Sequence, residues 1–147
     1  MATRYLGIDL GAETLKLVEL TRSDEGSLVW SRRLLLEHHK EPRALLLGTL
    51  DAWGWESVTG AAACGRLSRS LALPRVPEKQ ARGAGCRFLL PDLGPATLVT
   101  IGSHGFSVLE LREGGLEVLR ENSRCSQGTG NFLRQLVERF SLGIAEA

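Results

Sequence analysis

The sequence of 147 residues lacks any apolar run near the ~20 residues that a membrane-spanning helix requires. It has only three cysteines, an odd number at wide spacing, so we expect no disulfide framework and a reducing compartment. Its formal net charge of +1 offers no long-range field to attract nucleic acid or an anionic membrane. A strand is predicted almost at the N-terminus, where a secretory signal would lie. We therefore expect a cytoplasmic, globular protein without a nucleic-acid or membrane partner.

One pattern occurs twice in the chain, over residues 10–20 and again over residues 101–111. Each copy contains an apolar strand, a turn that opens with Gly11 or Gly102, and a second, alternating strand. Glycine lets backbone N–H groups approach anionic oxygens closely, so two such turns facing a common cleft could hold a polyphosphate. The repeat predicts two similar subdomains, residues 1–94 and 95–147, divided at a segment rich in proline and glycine.

Hydrophobic periodicity predicts a mixed α/β chain. The expected strands cover residues 4–10, 15–20, 28–35, 56–61, 97–101, 106–112 and 116–120, with a hairpin turn at 113–115 and a loop with a short helix within 62–73. The expected helices cover residues 43–53, 78–88 and 131–140. The last helix carries an apolar face, Phe132, Leu133, Leu136, Val137 and Phe140, that three strands would leave without a partner. We therefore expect either a piece of a longer protein or an oligomer.

The first predicted helix carries one apolar stripe and follows two histidines. Leu46 and Leu50 lie on this stripe with Leu45 and Trp53. His38 and His39, between the third strand and this helix, are expected to face solvent.

The segment 7–11, with the sequence GIDLG, is the sharpest local motif. Asp9 would end the first strand two residues before the turn, where its carboxylate could hold a hydrated Mg²⁺ against bound phosphates. A plain hairpin in which Asp9 accepts from the turn amides is the structural alternative, and the motif alone leaves both open. Lys16, on the next strand, could reach a phosphate or point into water.

Cys125 lies in a glycine-rich loop, CSQGTG, just before the last predicted helix. The positive end of the helix dipole favours a thiolate, the form that ligates iron or zinc or acts as a nucleophile. Gly128 and Gly130 could instead present backbone donors to a ligand, and a buried structural cysteine fits equally well. Cys64 and Cys86 are not at ligand spacing, so a metal site would need a second subunit or further sequence.

Five segments occur in the order found in one known family. They are GIDLG at 7–11 with Lys16, TG at 59–60 with GR at 65–66, ARGA at 81–84, IG at 101–102, and CSQGTGNFL at 125–133. With these segments, nearly the whole chain resembles the activators of 2-hydroxyacyl-CoA dehydratases and the related ATPase subunits of benzoyl-CoA reductase, the BadF/BadG/BcrA/BcrD type. The cysteine segment is the specific part. The first glycine turn alone resembles the wider superfamily of actin, Hsp70 chaperones and sugar kinases.

The resemblance implies an actin-like, ribonuclease H-like ATPase fold with one near-complete subdomain, the start of a second, and ATP between them. In such activators, ATP drives electron transfer from a [4Fe-4S] cluster at a homodimer interface to a partner dehydratase or reductase. The implied cofactors are therefore ATP or ADP with Mg²⁺, and a [4Fe-4S] cluster shared between subunits.

The resemblance also implies roles for particular residues. Asp9 matches the catalytic, Mg²⁺-binding position, and Cys125 matches the first of two cluster cysteines from each subunit. The remaining implied nucleotide contacts are Gly11, Ala12, Glu13, Thr14 and Lys16 in the first phosphate motif, Gly102, Ser103 and His104 in the second, and Gly128, Thr129 and Gly130 before the last helix.

The chain departs from this family at both phosphate motifs. The first turn usually carries hydroxyl residues where Ala12 and Glu13 stand, and Glu13 brings a negative charge beside the phosphates. The second motif normally reads DIGGQD, whereas residues 100–105 read TIGSHG. Because loss of one transition-state contact typically costs ~10²–10³ in rate, we expect feeble hydrolysis. The second cluster cysteine and the adenosine-binding half would lie beyond residue 147.

Three functions stay open from the sequence. The first is an ATP-binding activator domain. The second is a catalytically degenerate actin-like scaffold or regulatory domain, which Glu13, Thr100, His104 and Gly105 favour. The third is a small-molecule kinase, ranked last because no carboxylate that could act as a substrate base stands near the second glycine turn.

Overall fold

The computed structural model describes residues 3–102, 105–113, 117–121 and 129–140. The chain divides into two compact units, residues 1–81 and 82–147. The boundary expected after residue 94 stays a prediction.

The first unit contains a four-stranded sheet in the order β3-β2-β1-β4. Its first three strands, β1 (Thr3–Leu10), β2 (Thr14–Arg22) and β3 (Leu28–Glu37), are antiparallel neighbours joined by short polar turns. The fourth, β4 (Gly60–Cys64), runs parallel to β1. A parallel neighbour requires a long crossover, and the segment that contains the first helix supplies it.

Alternation along β1 and β2 builds the core of the first unit. Leu6, Ile8 and Leu10 from β1 and Leu15 and Leu17 from β2 are all nearly inaccessible to solvent. Burying each such side chain contributes about 1.5–3 kcal/mol.

Helix α1 (Pro42–Ala52) covers this core with the predicted stripe. Leu46 is buried, and Leu45, Leu50 and Trp53 pack against the same cluster. Pro42 suits the first turn of the helix because its missing N–H has no intrahelical acceptor there.

The strand predicted over residues 56–61 is wrong. A short 3₁₀ helix, Trp55–Ser57, follows Gly54, whose φ of +67° favours glycine. The strand begins at Gly60 and continues through three alanines to Cys64, in register with β1 from Tyr5 onward. Alanine and glycine have low strand propensity, so pairing with the buried strand β1 determines this element.

The free edge of β4 is covered by residues 74–76. The Ala63 N–H donates to the Pro74 carbonyl, and the Val76 N–H donates to the Ala63 carbonyl, both at 2.9 Å. Ala63 and Arg75 thereby form an isolated parallel bridge. Another 3₁₀ turn, Ser68–Ser70, lies within the segment expected to hold a short helix.

A buried carboxylate occupies the core face of β2 beyond the leucines. Glu19 is only 4% exposed. Arg4 and Arg32 donate to its Oε2, and Ser31 donates to its Oε1 at 2.8 Å. Both guanidinium groups also donate to the Trp53 carbonyl, and Arg32 stacks 4.6 Å from the centre of the Trp53 ring. Desolvation raises the pKa of Glu19, but the hydrogen bonds from Arg4, Arg32 and Ser31 outweigh it and lower that pKa from 4.5 to about 2.

The second unit contains a three-stranded antiparallel sheet in the order β5-β6-β7. The strands are β5 (Ala96–Gly102), β6 (Gly105–Leu111) and β7 (Glu117–Glu121), each close to its expected bounds. Residues 114 and 115 of the expected hairpin turn, and residue 116 of the expected strand, lie outside the described residues.

Helix α2 (Glu78–Leu89) crosses the division between the units, and its part from Arg82 packs on this sheet. Cys86 lies with Leu109 and Leu111 in a small core, and Arg87 donates to Glu117 at 2.6 Å. Gly83 leaves room for the Glu117 carboxylate, with which an added Cβ would collide.

Helix α3 (Thr129–Arg139) begins two residues before the predicted start and packs against β5 and β6. Phe132 and Phe140 on its apolar face are 58% and 68% exposed within the described structure. Of the helices described here, none is both long and apolar enough to cross a bilayer.

Replacing Glu19 by alanine should lower the free energy of unfolding at pH 7 by about 3 kcal/mol, because Arg4 and Arg32 lose their shared counter-ion inside the core. The folded pKa lies below the unfolded value, so the stabilisation is present above pH 4.5 and is lost as pH falls towards 2. Urea unfolding of both proteins should therefore give a difference that shrinks between pH 5 and pH 2.5. Glu25→Ala, in the exposed turn before β3, is the matched control. An equal loss in that control, or a pH-independent difference, would contradict the prediction.

Candidate functional site

The turn between β1 and β2 closes with one backbone hydrogen bond. The Gly11 N–H donates to the Thr14 carbonyl at 2.9 Å. Leu10 faces Leu15 across the hairpin, and Asp9 faces Lys16. Because side chains alternate between the two faces of a sheet, the leucine pair enters the core while the charged pair lies on the opposite face.

Asp9 and Lys16 form an exposed ion pair beside this turn. The Lys16 Nζ donates to the Asp9 Oδ2 at 2.8 Å, and the two side chains are 48% and 32% exposed, respectively. Exposed pairs of this kind contribute only about 0–1 kcal/mol. A metal ion or an anionic ligand can therefore take over either partner at small cost.

The loop after β4 packs directly against Asp9. Gly65 has a φ of +91°, and a Cβ there would collide with the Asp9 Oδ1 and lie 2.6 Å from the Leu10 carbonyl oxygen. The Leu67 N–H donates to that same carbonyl at 2.9 Å. Gly65 thus permits a close approach that fixes one side of the Asp9 carboxylate. The sequence pointed to Gly65 only as part of the GR segment at 65–66 in the family resemblance. No local pattern links Gly65 to Asp9.

His38 is buried against the turn, so the expectation that it faces solvent is wrong. It is 4% exposed, its Nε2 lies 3.3 Å from the Gly11 carbonyl oxygen, and its backbone N–H donates to the Glu13 carbonyl at 3.0 Å. The reason is register: β3 extends to Glu37, which faces Thr14, so the next residue meets the turn.

The chain leaves the sheet immediately after His38. His39 and Lys40 adopt left-handed conformations, with φ of 45° and 69°, and lead into α1. The His39 side chain is 83% exposed, as the sequence predicted. The missed signal for His38 was the length of β3, since a strand two residues longer brings it to the turn.

The other predicted site residues belong to the second unit. Gly102 ends β5 and is paired with Gly105, and Thr129 and Gly130 are the first two residues of α3. The remaining predicted residues, Ser103, His104, Cys125 and Gly128, lie outside the described residues. The meeting of the two glycine turns at one cleft stays a prediction.

Metal-ligating side chains are sparse in the described part of the chain. Within it, no three or more His, Cys, Asp or Glu residues are grouped so as to hold a metal ion. Cys86 is buried in the small core of the second unit, and Cys64 lies on β4 in the first unit. Asp9 is the predicted metal ligand that the structure describes.

No family model and no curated protein matches the sequence. The fold is actin-like, and the predicted fold class is confirmed. One similar structure is the activator of the 2-hydroxyisocaproyl-CoA dehydratase from Clostridium difficile with bound ADPNP. It is 22% identical, with a TM-score of 0.72 over 99% of this chain and 55% of that chain.

Two further structures have the same fold. The PPX-GPPA enzyme of Aquifex aeolicus is 16% identical, with a TM-score of 0.61 over 95% of this chain and 56% of that one. The ethanolamine utilization protein EutJ of Carboxydothermus hydrogenoformans is 14% identical, with a TM-score of 0.55 over 97% and 59%. The chain thus spans between 55% and 59% of the length of these structures.

Replacing Gly65 by alanine should destabilise the first unit by about 2 kcal/mol or more, because the new Cβ meets the Asp9 carboxylate and the backbone is left-handed. Thermal unfolding measures the loss. Gly48→Ala is the matched control, since Gly48 lies in α1 with open space around it. There alanine should raise stability by about 0.5–1 kcal/mol. A neutral Gly65→Ala would contradict the close packing at Asp9.

Proposed function

We propose that this chain is the ATP-binding part of an activator-type protein and that it binds ATP or ADP with Mg²⁺ through the turn between β1 and β2. The observation that carries the proposal is the exposed Asp9–Lys16 pair beside a turn with unused backbone donors. Within the described residues, the N–H groups of Ala12 and Glu13 make no hydrogen bond. Unused amides in a glycine turn next to a lysine form a favourable environment for phosphate oxygens. The bound ADPNP of the similar activator structure supports a nucleotide as ligand.

Asp9 fits the role of a Mg²⁺ ligand as far as a single carboxylate can. Its side chain is half-buried, held by Gly65 on one side and by Lys16 on the other. Mg²⁺ usually keeps several waters and is held by one or two carboxylates together with substrate phosphates. Bound Mg²⁺ would neutralise phosphate charge, and it would also offset the repulsion between Glu13 and the phosphates.

The activator role extends this proposal beyond nucleotide binding. Gly102, Ser103 and His104 are proposed as the second phosphate contact, and Gly128, Thr129 and Gly130 as further contacts. Because TIGSHG at 100–105 lacks acidic residues, we propose slow hydrolysis at most. Cys125 is the proposed ligand of a [4Fe-4S] cluster shared in a homodimer, with an acyl-CoA dehydratase or reductase as the electron acceptor.

Calorimetric titration with Mg-ATP tests the proposal and separates it from the scaffold alternative. Asp9→Asn should abolish the gain in ATP affinity that Mg²⁺ gives, because the carboxylate ligand is lost. Lys16→Met should weaken ATP binding about tenfold with or without Mg²⁺, because one charge-assisted contact is removed. Asp51→Asn, on the exposed end of α1, is the control and should bind as the unaltered chain does. Absence of binding heat from folded, unaltered full-length protein would favour the scaffold alternative.

Iron content tests the cluster proposal separately. Full-length protein prepared without oxygen should contain iron and sediment as a dimer, whereas Cys125→Ser should lose both properties, because the thiolate ligand is lost. Cys86→Ala is the control, since Cys86 is a buried core residue. Unaltered protein free of iron and monomeric would count against the cluster but would leave nucleotide binding intact.

A further inference from the structure

We propose that His38 is a positioning residue for phosphate recognition: it holds the turn between β1 and β2 in the conformation that presents the Ala12 amide to an anion. This inference rests on the proposed function of the same turn. The resemblance stated from the sequence gives His38 no role.

His38 reaches the turn through two hydrogen bonds. Its backbone N–H donates to the Glu13 carbonyl, which continues the pairing of β2 with β3. Its side chain reaches across to the Gly11 carbonyl oxygen, 3.3 Å from Nε2. A carbonyl oxygen can only accept a hydrogen bond, so Nε2 must carry the hydrogen. The imidazole therefore joins the β1 side of the turn to the β3 side.

The bond to the Gly11 carbonyl determines the direction of the next amide. In a trans peptide the C=O and the following N–H point in opposite directions. Because the Gly11 carbonyl points at His38, the Ala12 N–H points away from the imidazole. Within the described residues, neither the Ala12 N–H nor the Glu13 N–H makes a hydrogen bond. His38 thus occupies the carbonyl side of the Gly11–Ala12 peptide and leaves its amide side free for a ligand.

The buried environment of His38 supports a positioning role over simple filling of space. Its Nδ1 is buried and has no hydrogen-bond partner within the described structure. A buried polar atom without a partner costs free energy that an apolar side chain of similar size would avoid. The imidazole offsets part of this cost by its hydrogen bond to the Gly11 carbonyl, which an apolar side chain could not make.

The backbone on both sides also restrains His38. Its carbonyl accepts from the Glu41 N–H at 2.7 Å, and the left-handed residues between them turn the chain towards α1. The imidazole is consequently presented by a strand end and a tight loop, with little freedom to leave the turn.

Three variants of the full-length protein test the inference. His38→Leu removes the donor, His38→Gln replaces it with a side-chain amide of similar reach, and His39→Asn is the control, since asparagine tolerates the left-handed backbone at this exposed neighbour. Affinities for Mg-ATP and for adenosine are measured by calorimetry. Hydrogen exchange of the Gly11 amide, which closes the turn, is measured without ligand, with the Leu67 amide as an internal reference.

We expect His38→Leu to weaken Mg-ATP binding about tenfold while leaving adenosine binding unchanged, because only the phosphates meet the turn. The Gly11 amide should exchange faster in this variant, and the Leu67 amide should not. His38→Gln should restore both properties to within about threefold, and His39→Asn should match the unaltered chain.

Equal Mg-ATP affinity of His38→Leu and the unaltered chain would overturn the inference, and so would an equal loss of adenosine binding. If the unaltered chain binds no nucleotide, the proposed function fails, and the exchange measurement decides the role of His38 in the turn. Unchanged Gly11 exchange in His38→Leu would then overturn the inference independently, whereas selective acceleration would support it.

Discussion

The antiparallel register between β1 and β2 is the constraint on which the candidate site depends. It places Leu10 opposite Leu15 in the core and Asp9 opposite Lys16 on the other face. A slip of one residue would exchange these faces, burying the charged pair and exposing the leucines. The same hydrophobic burial that stabilises the sheet therefore also brings the carboxylate and the ammonium together beside the turn. Stability and site geometry have one cause here.

Two polar groups sit at the buried ends of this leucine layer, and they are satisfied differently. Glu19 accepts from two guanidinium groups and a hydroxyl, so its charge is well compensated. At the end where the turn lies, His38 Nε2 bonds the Gly11 carbonyl, whereas its Nδ1 has no partner in the part of the chain that the structure describes. Glu19, whose charge is compensated by hydrogen bonds, serves the stability of the fold. His38 lies at the turn, where the geometry of the candidate site matters more than the stability that this residue contributes.

The parts of the fold that could be predicted are those with local causes. Alternating leucines gave β1, β2 and the hairpin, and helical spacing gave α1 and its buried stripe. The strand β4 was misplaced because its glycine and alanines carry no strand signal, and its position follows from pairing with β1. His38, Gly65 and Glu19 escaped prediction for a related reason: each acts on residues far away in sequence, namely Gly11, Asp9 and Arg4. Part of the second phosphate motif and the cysteine loop lie outside the described residues, so they remain sequence-based predictions.

The strap formed by residues 74–76 has a consequence for the association of this domain with other chains. A strand from another chain can pair with a free strand edge. The small side chains of β4 would offer no steric barrier to such pairing. The strap uses the Ala63 backbone groups on that edge. Pro74, the first residue of the strap, and Pro77, which follows it, lack the N–H groups that a further strand would need. The β4 edge of the sheet is thus terminated by the chain itself, which protects this edge against strand-to-strand aggregation.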